Sequence, residues 1–392
     1  MVTDDTNDMI TPEEAFQIIH HIPVPTQKSQ APLIDCLGKI LAEDLLADRD
    51  FPPFDRVMMD GIAVGNTQIR EWKWEGMTFA GEPQKTLSNP DGAWEIMTGA
   101  PLPKNCVAVI KVEDLTFFER DGEKWISCQL ENIESGSFIH PQGSDILQGQ
   151  IILNQGTRLK ANHIAIAASV GYSKLWVESI QPIGVYSSGD ELVPIDSQPL
   201  EHQIRSSNAI MMQSALQEHR ISSQHYHMPD NPTIIHQSLL DGLEKHDILL
   251  LSGGVSAGKK DYIPGILQEL GFTAKFHKIA QKPGKPLWLG TRPDGKVIFA
   301  FPGNPISTLV CFSIYFLSWI LDRKGPKPQG KILGLSAPLK NLDHWIPIQW
   351  DGNQAKVLEH NGSGDLVHWQ HADALAWQKA NNNSEELIYF PM

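Results

Sequence analysis

The chain lacks a basic excess, clustered cysteines and any long uninterrupted apolar run, and each shortage removes a class of function. Lys and Arg number 32 against 46 Asp and Glu, a formal net charge of −14. Such a chain has no surplus of cations to neutralise the phosphates of nucleic acid or of an anionic membrane surface, so neither is expected as a generic partner. An anionic substrate must instead be met by donors arranged locally. The four cysteines, Cys36, Cys106, Cys128 and Cys311, form no Cys-x-x-Cys pair. They read as reduced thiols of a cytoplasmic protein rather than as a disulfide frame or a zinc site. The longest uncharged apolar stretch, ISTLVCFSIYFLSWIL at 306–321, falls short of the roughly 20 residues needed to cross a bilayer, and predicts a buried core helix. The opening MVTDDTNDMI has neither a positive n-region nor an apolar h-region, so no signal peptide is expected.

Several catalytic signatures are missing too. Without Gly-x-x-x-x-Gly-Lys-Ser/Thr the chain is no P-loop kinase, and without Gly-x-Gly-x-x-Gly after the first strand it is no dinucleotide dehydrogenase. There is no Gly-x-Ser-x-Gly elbow for covalent hydrolysis, and no His-Glu-x-x-His among the fifteen histidines.

What is present is an ordinary globular composition, 41% apolar and 20% charged, over 392 residues, more than one core usually fills. The expected class is multidomain α/β. Residues 1–46 hold helices expected at 11–22 and 34–46, and residues 146–178 hold an apolar helix ended by Gly171. Thr11, Pro12, Glu13 and Glu14 supply the start signals of the first helix. Residues 47–145, rich in Gly, Pro and short apolar strands, read as a β-rich domain. In 179–328, continuous apolar strands such as DILLL and KVIFAF alternate with amphipathic helices, the pattern of a doubly wound, mostly parallel sheet. Residues 329–392 read as a small β domain.

The α/β segment carries the chemistry. Ligands sit beyond the carboxyl ends of parallel strands, where helix amino termini face them. Three loops are expected there. SSGDELVP delivers Gly189, Asp190 and Glu191. SGGVSAGKKDY delivers Ser252, Gly253, Gly254, Ser256, Gly258 and Asp261. PGNPIS delivers Pro302, Gly303, Asn304 and Pro305. QKPGKP at 281–286 adds Lys282 and Lys285 on a turn stiffened by prolines, which suits an anion in so acidic a protein. Carboxylates and lysines around glycine-rich loops suit a nucleotide with Mg²⁺, since the metal bridges carboxylate and phosphate oxygens.

Together with FPPFDRVMMDGIAV at 51–64, IMTGAPLP at 96–103, PQGSDI at 141–146 and the weaker GSGDL and ADALAW segments, these motifs resemble the molybdopterin molybdenumtransferases of MoeA type, a family related to the gephyrin E domain. The resemblance implies an elongated dimerisation region formed by residues 1–46 together with 146–178, an adenylyltransferase-like α/β domain, a carboxy-terminal β-barrel and a homodimer. It implies adenylylated molybdopterin and molybdate as substrates, Mg²⁺ as cofactor and AMP as product. Molybdopterin adenylyltransferase and molybdoenzyme chaperones are the further partners implied. Asp60 and Thr98 match catalytic positions, expected to face the α/β domain of the other protomer. Glu191, Asp230 and Asp261 match acidic metal or nucleotide positions, Lys282 and Lys285 the molybdate lysines, and Asp145 the Gly-x-Asp of a second-domain motif. The chain departs from the family at Val57 (serine), Ile62 (tyrosine), His140 (arginine) and Ser144 (acidic). Loss of a fixed cation at His140 predicts weaker, pH-dependent anion binding there, and Lys259 and Lys260 are expected to compensate. A non-catalytic molybdopterin-binding scaffold and a molybdopterin adenylyltransferase are the alternatives.

Overall fold

The computed structural model describes residues 9–255, 262–322, 329–350, 354–382, 384 and 386–391. They fall into two compact units, residues 1–27 with 180–392, and residues 28–179.

The 28–179 unit contains a six-stranded sheet: β1 (Gly61–Val64), β2 (Glu71–Thr78), β3 (Gly92–Ile96), β4 (Ala108–Lys111), β5 (Leu115–Arg120) and β6 (Glu123–Cys128). Their spatial order is β4-β1-β3-β2-β6-β5, with only β2 and β3 running parallel. Alternation along β1 sends Ile62 and Val64 into one core with Trp72 and Ile126. Ala63 goes into another with Val57, Leu87 and Ile96. Two of the family departures, Val57 and Ile62, are therefore core residues, 1% and 0% exposed.

The helix expected at 34–46 is not formed. A 3-10 turn at Leu33–Asp35 precedes two short strands, Ile40–Leu41 and Leu45–Leu46. Gly38 at φ +80 breaks the helical path, and Leu41 and Leu45 bury against Leu175 and Val177, with Ile40–Leu41 pairing to Lys174–Ser179. Tertiary pairing thus overrides a helix-like pattern. The helix Ala161–Ser169 forms as expected, with Gly171 at φ +84 beyond its end.

In the other unit, β7 (Ile183–Ser188), β8 (Ser223–Met228), β9 (Ile248–Ser252), β10 (Thr273–Lys278), β11 (Pro286–Thr291) and β12 (Val297–Phe301) lie in the order β8-β7-β9-β12-β11-β10. The first four are parallel, whereas β11 and β10 extend the sheet antiparallel. Helices α1 (Pro12–His20), α2 (Ser207–Glu218), α3 (Pro232–Lys245), α4 (Ile263–Glu269) and α5 (Pro305–Cys311) accompany them. Val185, Leu250 and Phe299 pack with α1, α2 and α5 residues, while Tyr186, Leu249 and Ile298 pack with α3 and α4 residues. Both faces are covered, which is why Ile248–Leu251 of β9 and the whole of β12 are apolar.

Two expectations change here. The helix foreseen over 306–321 is α5, a π-helical segment Phe312–Phe316 and a final turn Leu317–Ile320. The amino-terminal helix, expected with the 1–46 region, belongs instead to the α/β unit. Phe16 of α1 stacks on Phe390 at 5.7 Å, and Trp319 Nε1 donates to the Ile22 carbonyl at 2.7 Å.

The unit ends in five strands, β13 (Gln329–Leu333), β14 (Asp343–Trp350), β15 (Ala355–Val357), β16 (Ala374–Gln378) and β17 (Glu386–Pro391). Their pairing returns on itself, β14 to β15 to β13 to β17 to β16 and back to β14. Gln281–Lys282 joins β14 in parallel. Among the described residues no helix is long and apolar enough to cross a membrane.

Two stability predictions follow from packing and charge. Gly242 of α3 has no room for a side chain, because an added Cβ would overlap the Tyr186 hydroxyl. Tyr186 is 1% exposed and stacked on Tyr226 at 4.8 Å, so it cannot yield. Gly242→Ala gains about 1 kcal/mol of helix propensity but overpacks a closed core at about 1–3 kcal/mol. Thermal unfolding should show a net loss. His344 on β14 is held near pKa 4 rather than 6.5, by burial first and then by the charges of Lys282 and His360. The folded state resists its protonation, so its contribution to stability is complete above the ordinary histidine range and is lost as pH falls from 6.5 towards 4. His344→Gln should flatten that acid limb in denaturant titrations.

Candidate active site

The three strand-end loops meet. Gly189 and Glu191 after β7, Ser252, Gly253 and Gly254 after β9, and Pro302, Gly303, Asn304 and Pro305 after β12 all line one cavity of about 440 Å³, together with Asp230. Gly253 N donates to the Phe301 carbonyl at 3.1 Å, tying the second loop to the third. The amide of Asn208, on the first turn of α2, donates to Ser252 Oγ at 2.8 Å and to the Gly303 carbonyl at 2.9 Å. Asn304 reaches Ser363 Oγ at 3.0 Å, so the GSGDL segment touches the third loop.

Reading the sequence for glycine loops missed a fourth wall. Arg205, Ser206, Ser207 and Asn208 line the cavity from the amino end of α2, where backbone N–H groups face an anion. Arg205 is the cationic side chain among the lining residues. The available signal was IRSSN, polar residues at a helix start directly after a short strand. Asp190, expected to bind substrate, is not in the lining. Its carboxylate accepts from Asp230 N at 3.0 Å and so fixes the backbone beside a residue that is. Ser256, Gly258, Lys259, Lys260 and Asp261 lie outside the described residues.

The lysine turn borders the cavity through Pro286, whereas Lys282 and Lys285 are not part of its wall. Lys282 is exposed and Lys285 half-buried, while Gln281, Pro283 and Gly284 between and before them are buried. Gly284 has φ +86, and an added Cβ would overlap Cys311 Sγ. Only glycine lets the turn lie this close to α5.

Asp60 and Thr98 belong to the 28–179 unit, and the strands bring them together. Asp60 precedes β1, Thr98 follows β3, and the two strands pair antiparallel with Gly61 opposite Ile96. Thr98 donates to Asp60 Oδ1 from its backbone N at 2.7 Å and from Oγ1 at 2.8 Å. These bonds, the backbone one foremost, hold the Asp60 carboxyl below its ordinary range. The glycine after Asp60 is obligatory, since a Cβ on Gly61 would overlap the Ile110 carbonyl across the sheet.

The same unit answers the loss of arginine at 140. His140 pairs opposite Arg56, whose guanidinium donates to His140 Nδ1 at 3.0 Å, while Nε2 meets Asp145 Oδ1 at 2.8 Å. Arg56 can only donate, so Nδ1 accepts and Nε2 carries the proton given to Asp145. The Arg56 guanidinium thus places a fixed cation directly beside the imidazole.

Glu191 and Asp230 are the carboxylates of the cavity wall. Among the described residues no group of three or more His, Cys, Asp or Glu side chains is gathered as a metal cage. Two carboxylates and open space fit Mg²⁺, which keeps several waters and takes phosphate oxygens rather than an all-protein shell.

Residues 10–171 match the family described as MoeA N-terminal region (domain I and II), and residues 184–321 match "Probable molybdopterin binding domain". The molybdopterin molybdenumtransferase of Synechocystis sp. is 40% identical over 83% of this chain and 90% of its own length. That of Bacillus subtilis is 30% identical over 79% of this chain and 75% of its own. The crystal structure of the molybdopterin biosynthesis MoeA protein from Pyrococcus horikosii superposes with a TM-score of 0.79 at 26% identity, covering 97% of this chain and 99% of that one. The chain belongs to the molybdopterin molybdenumtransferase family of MoeA type.

Proposed function

We propose that the protein is a molybdopterin molybdenumtransferase that accepts adenylylated molybdopterin and molybdate, places molybdenum on the pterin dithiolene and releases AMP. The observation that carries this reading is the convergence of three strand-end loops and the α2 amino end on one cavity, with Glu191, Asp230 and Arg205 in its wall. Phosphate, pterin phosphate and oxyanion are all negative, and in a chain of net charge −14 they need such local donors.

The backbone amides of Gly253, Gly254 and α2 with the Arg205 guanidinium bind and orient the pyrophosphate. Glu191 and Asp230, with Asp261, hold Mg²⁺. When bound, the ion offsets phosphate charge and polarises the link to be cleaved. Lys282 and Lys285 draw molybdate to the dithiolene. Asp60, kept ionised by Thr98, orients the reacting groups from the β-rich domain of the partner protomer. The active form is a homodimer that receives its substrate from a molybdopterin adenylyltransferase and passes its product to molybdoenzyme chaperones in the cytoplasm.

The test is AMP release from adenylylated molybdopterin with Mg²⁺ and molybdate. Release that depends on molybdate supports the transferase. ATP consumption would indicate an adenylyltransferase, and binding without turnover a scaffold.

A further inference from the structure

We propose that Gln281 is the positioning residue of the lysine turn, setting Lys282 and Lys285 for the oxyanion by locking their backbone to the π-helical segment and to β14. This rests on the reading that those lysines draw molybdate.

Gln281 is 1% exposed, and burying an amide is unfavourable unless each of its polar atoms finds a partner. Here both ends do. Oε1 accepts from Trp345 Nε1 at 2.9 Å and from the Tyr315 hydroxyl. Nε2 donates to the Pro283 carbonyl at 3.1 Å and the Gly284 carbonyl at 3.2 Å. An indole nitrogen can only donate and a carbonyl can only accept, so the amide has one permitted orientation.

The placement of the partners gives this bond set its meaning. Pro283 and Gly284 are the two residues between the lysines, so the side chain of Gln281 closes the turn that carries both. Tyr315 stands on the π-helical segment, a feature that recurs at functional sites. Cys311 one turn earlier donates to the Gly284 carbonyl at 3.4 Å. On the other side, Gln281 and Lys282 pair in parallel with Asp343 and His344 of β14, and Asp343 N donates to the Ala280 carbonyl at 2.9 Å. Asp343 is in turn fixed by Trp377 Nε1 at 2.7 Å and Ala380 N at 2.9 Å. The lysines thus sit on a turn held on one side by a helix and on the other by the closed carboxy-terminal strands, with one amide joining the two. That gives the carboxy-terminal strands a task in the reaction, to hold the oxyanion-binding turn in one conformation.

The test is a molybdate titration of AMP release by the full-length protein, with AMP binding and thermal unfolding measured alongside. Gln281→Met keeps the volume but loses every hydrogen bond of the amide, including the one from Nε2 to Cys311 Sγ at 3.6 Å. It should raise half-saturating molybdate about tenfold, with AMP affinity and the rate at saturating molybdate within about twofold of wild type, because loose positioning of a binding group costs about that much. Tyr315→Phe, which removes one donor to Oε1, should shift the same parameter about threefold in the same direction. A purely structural amide would lower melting temperature and maximal rate together and leave half-saturation where it was. That pattern, or an unshifted molybdate dependence in Gln281→Met while Lys285→Gln raises it, would overturn the positioning role and leave the functional reading standing. Absence of molybdate-dependent release in the wild type would overturn both. If Gln281→Met does not fold, Tyr315→Phe decides by the same comparison.

Discussion

Asp60→Asn is expected to lower molybdate-dependent AMP release by about 100-fold, the usual contribution of a positioned acid–base or orienting carboxylate, while leaving thermal stability nearly unchanged. The stability half follows from exposure. Asp60 is exposed, and its recorded partner is Thr98, itself exposed. Asparagine keeps an oxygen that can accept from Thr98 N and Oγ1, so the β1–β3 corner should survive. What asparagine loses is the charge that Thr98 protects by holding the carboxyl below its ordinary range. The proposed homodimer adds a sharper consequence. If Asp60 serves the partner's cavity, an equal mixture of Asp60→Asn and Glu191→Gln protomers regains about a quarter of the wild-type sites, because half of the dimers are mixed and each has one intact site. Mixing that restores nothing would place Asp60 outside the partner's reaction.

Much of this site could be read from the chain because its signals are local. β9 up to Leu251 and all of β12 are apolar, and each strand leads into a Gly-containing loop, so both the strand type and the ligand end of the sheet were legible. Asp60 was legible only through the family resemblance, and the reason for the glycine after it, the near approach of Ile110 across the sheet, was not legible at all. The parts that escaped depend on long-range partners. β10 lacks the continuous apolar run of a buried parallel strand and is fixed by pairing onto β11, which itself pairs antiparallel onto β12. Residues 34–46 have a helix-like spacing of leucines, but Leu41 and Leu45 are claimed by two separate sheets, each paired to residues more than 100 positions later. Arg56 behind His140 exists only because two short strands pair. The α2 wall was missed because its serines and Asn208 resemble ordinary helix-start residues. Only the fold shows them opposite Gly253 and Gly303.

Replacing Lys282 and Lys285 together by glutamine should raise the molybdate requirement far more than it weakens AMP binding. A charge-assisted hydrogen bond is worth about 1.5–3 kcal/mol net, so each lysine accounts for about a tenfold change in half-saturation or more. Two lysines on one ligand form a single cluster, and the double variant should fall short of the product of the single effects. AMP affinity should change little, because the cavity wall contains Pro286 from this turn but neither lysine. Removing two cations also makes an already acidic chain more negative, and that general repulsion must be separated from the local effect. A control with Lys104→Gln and Lys340→Gln, both exposed, changes net charge equally. If long-range charge is responsible, the control matches the turn variant, and added salt abolishes the difference from wild type in both, since the Debye length at 0.1 M is about 10 Å. If the turn binds the oxyanion directly, the control stays at the wild-type requirement and salt does not rescue the turn variant. Tungstate, with the same tetrahedral shape and double charge, should show the same loss, because ammonium groups read charge and reach rather than the central atom.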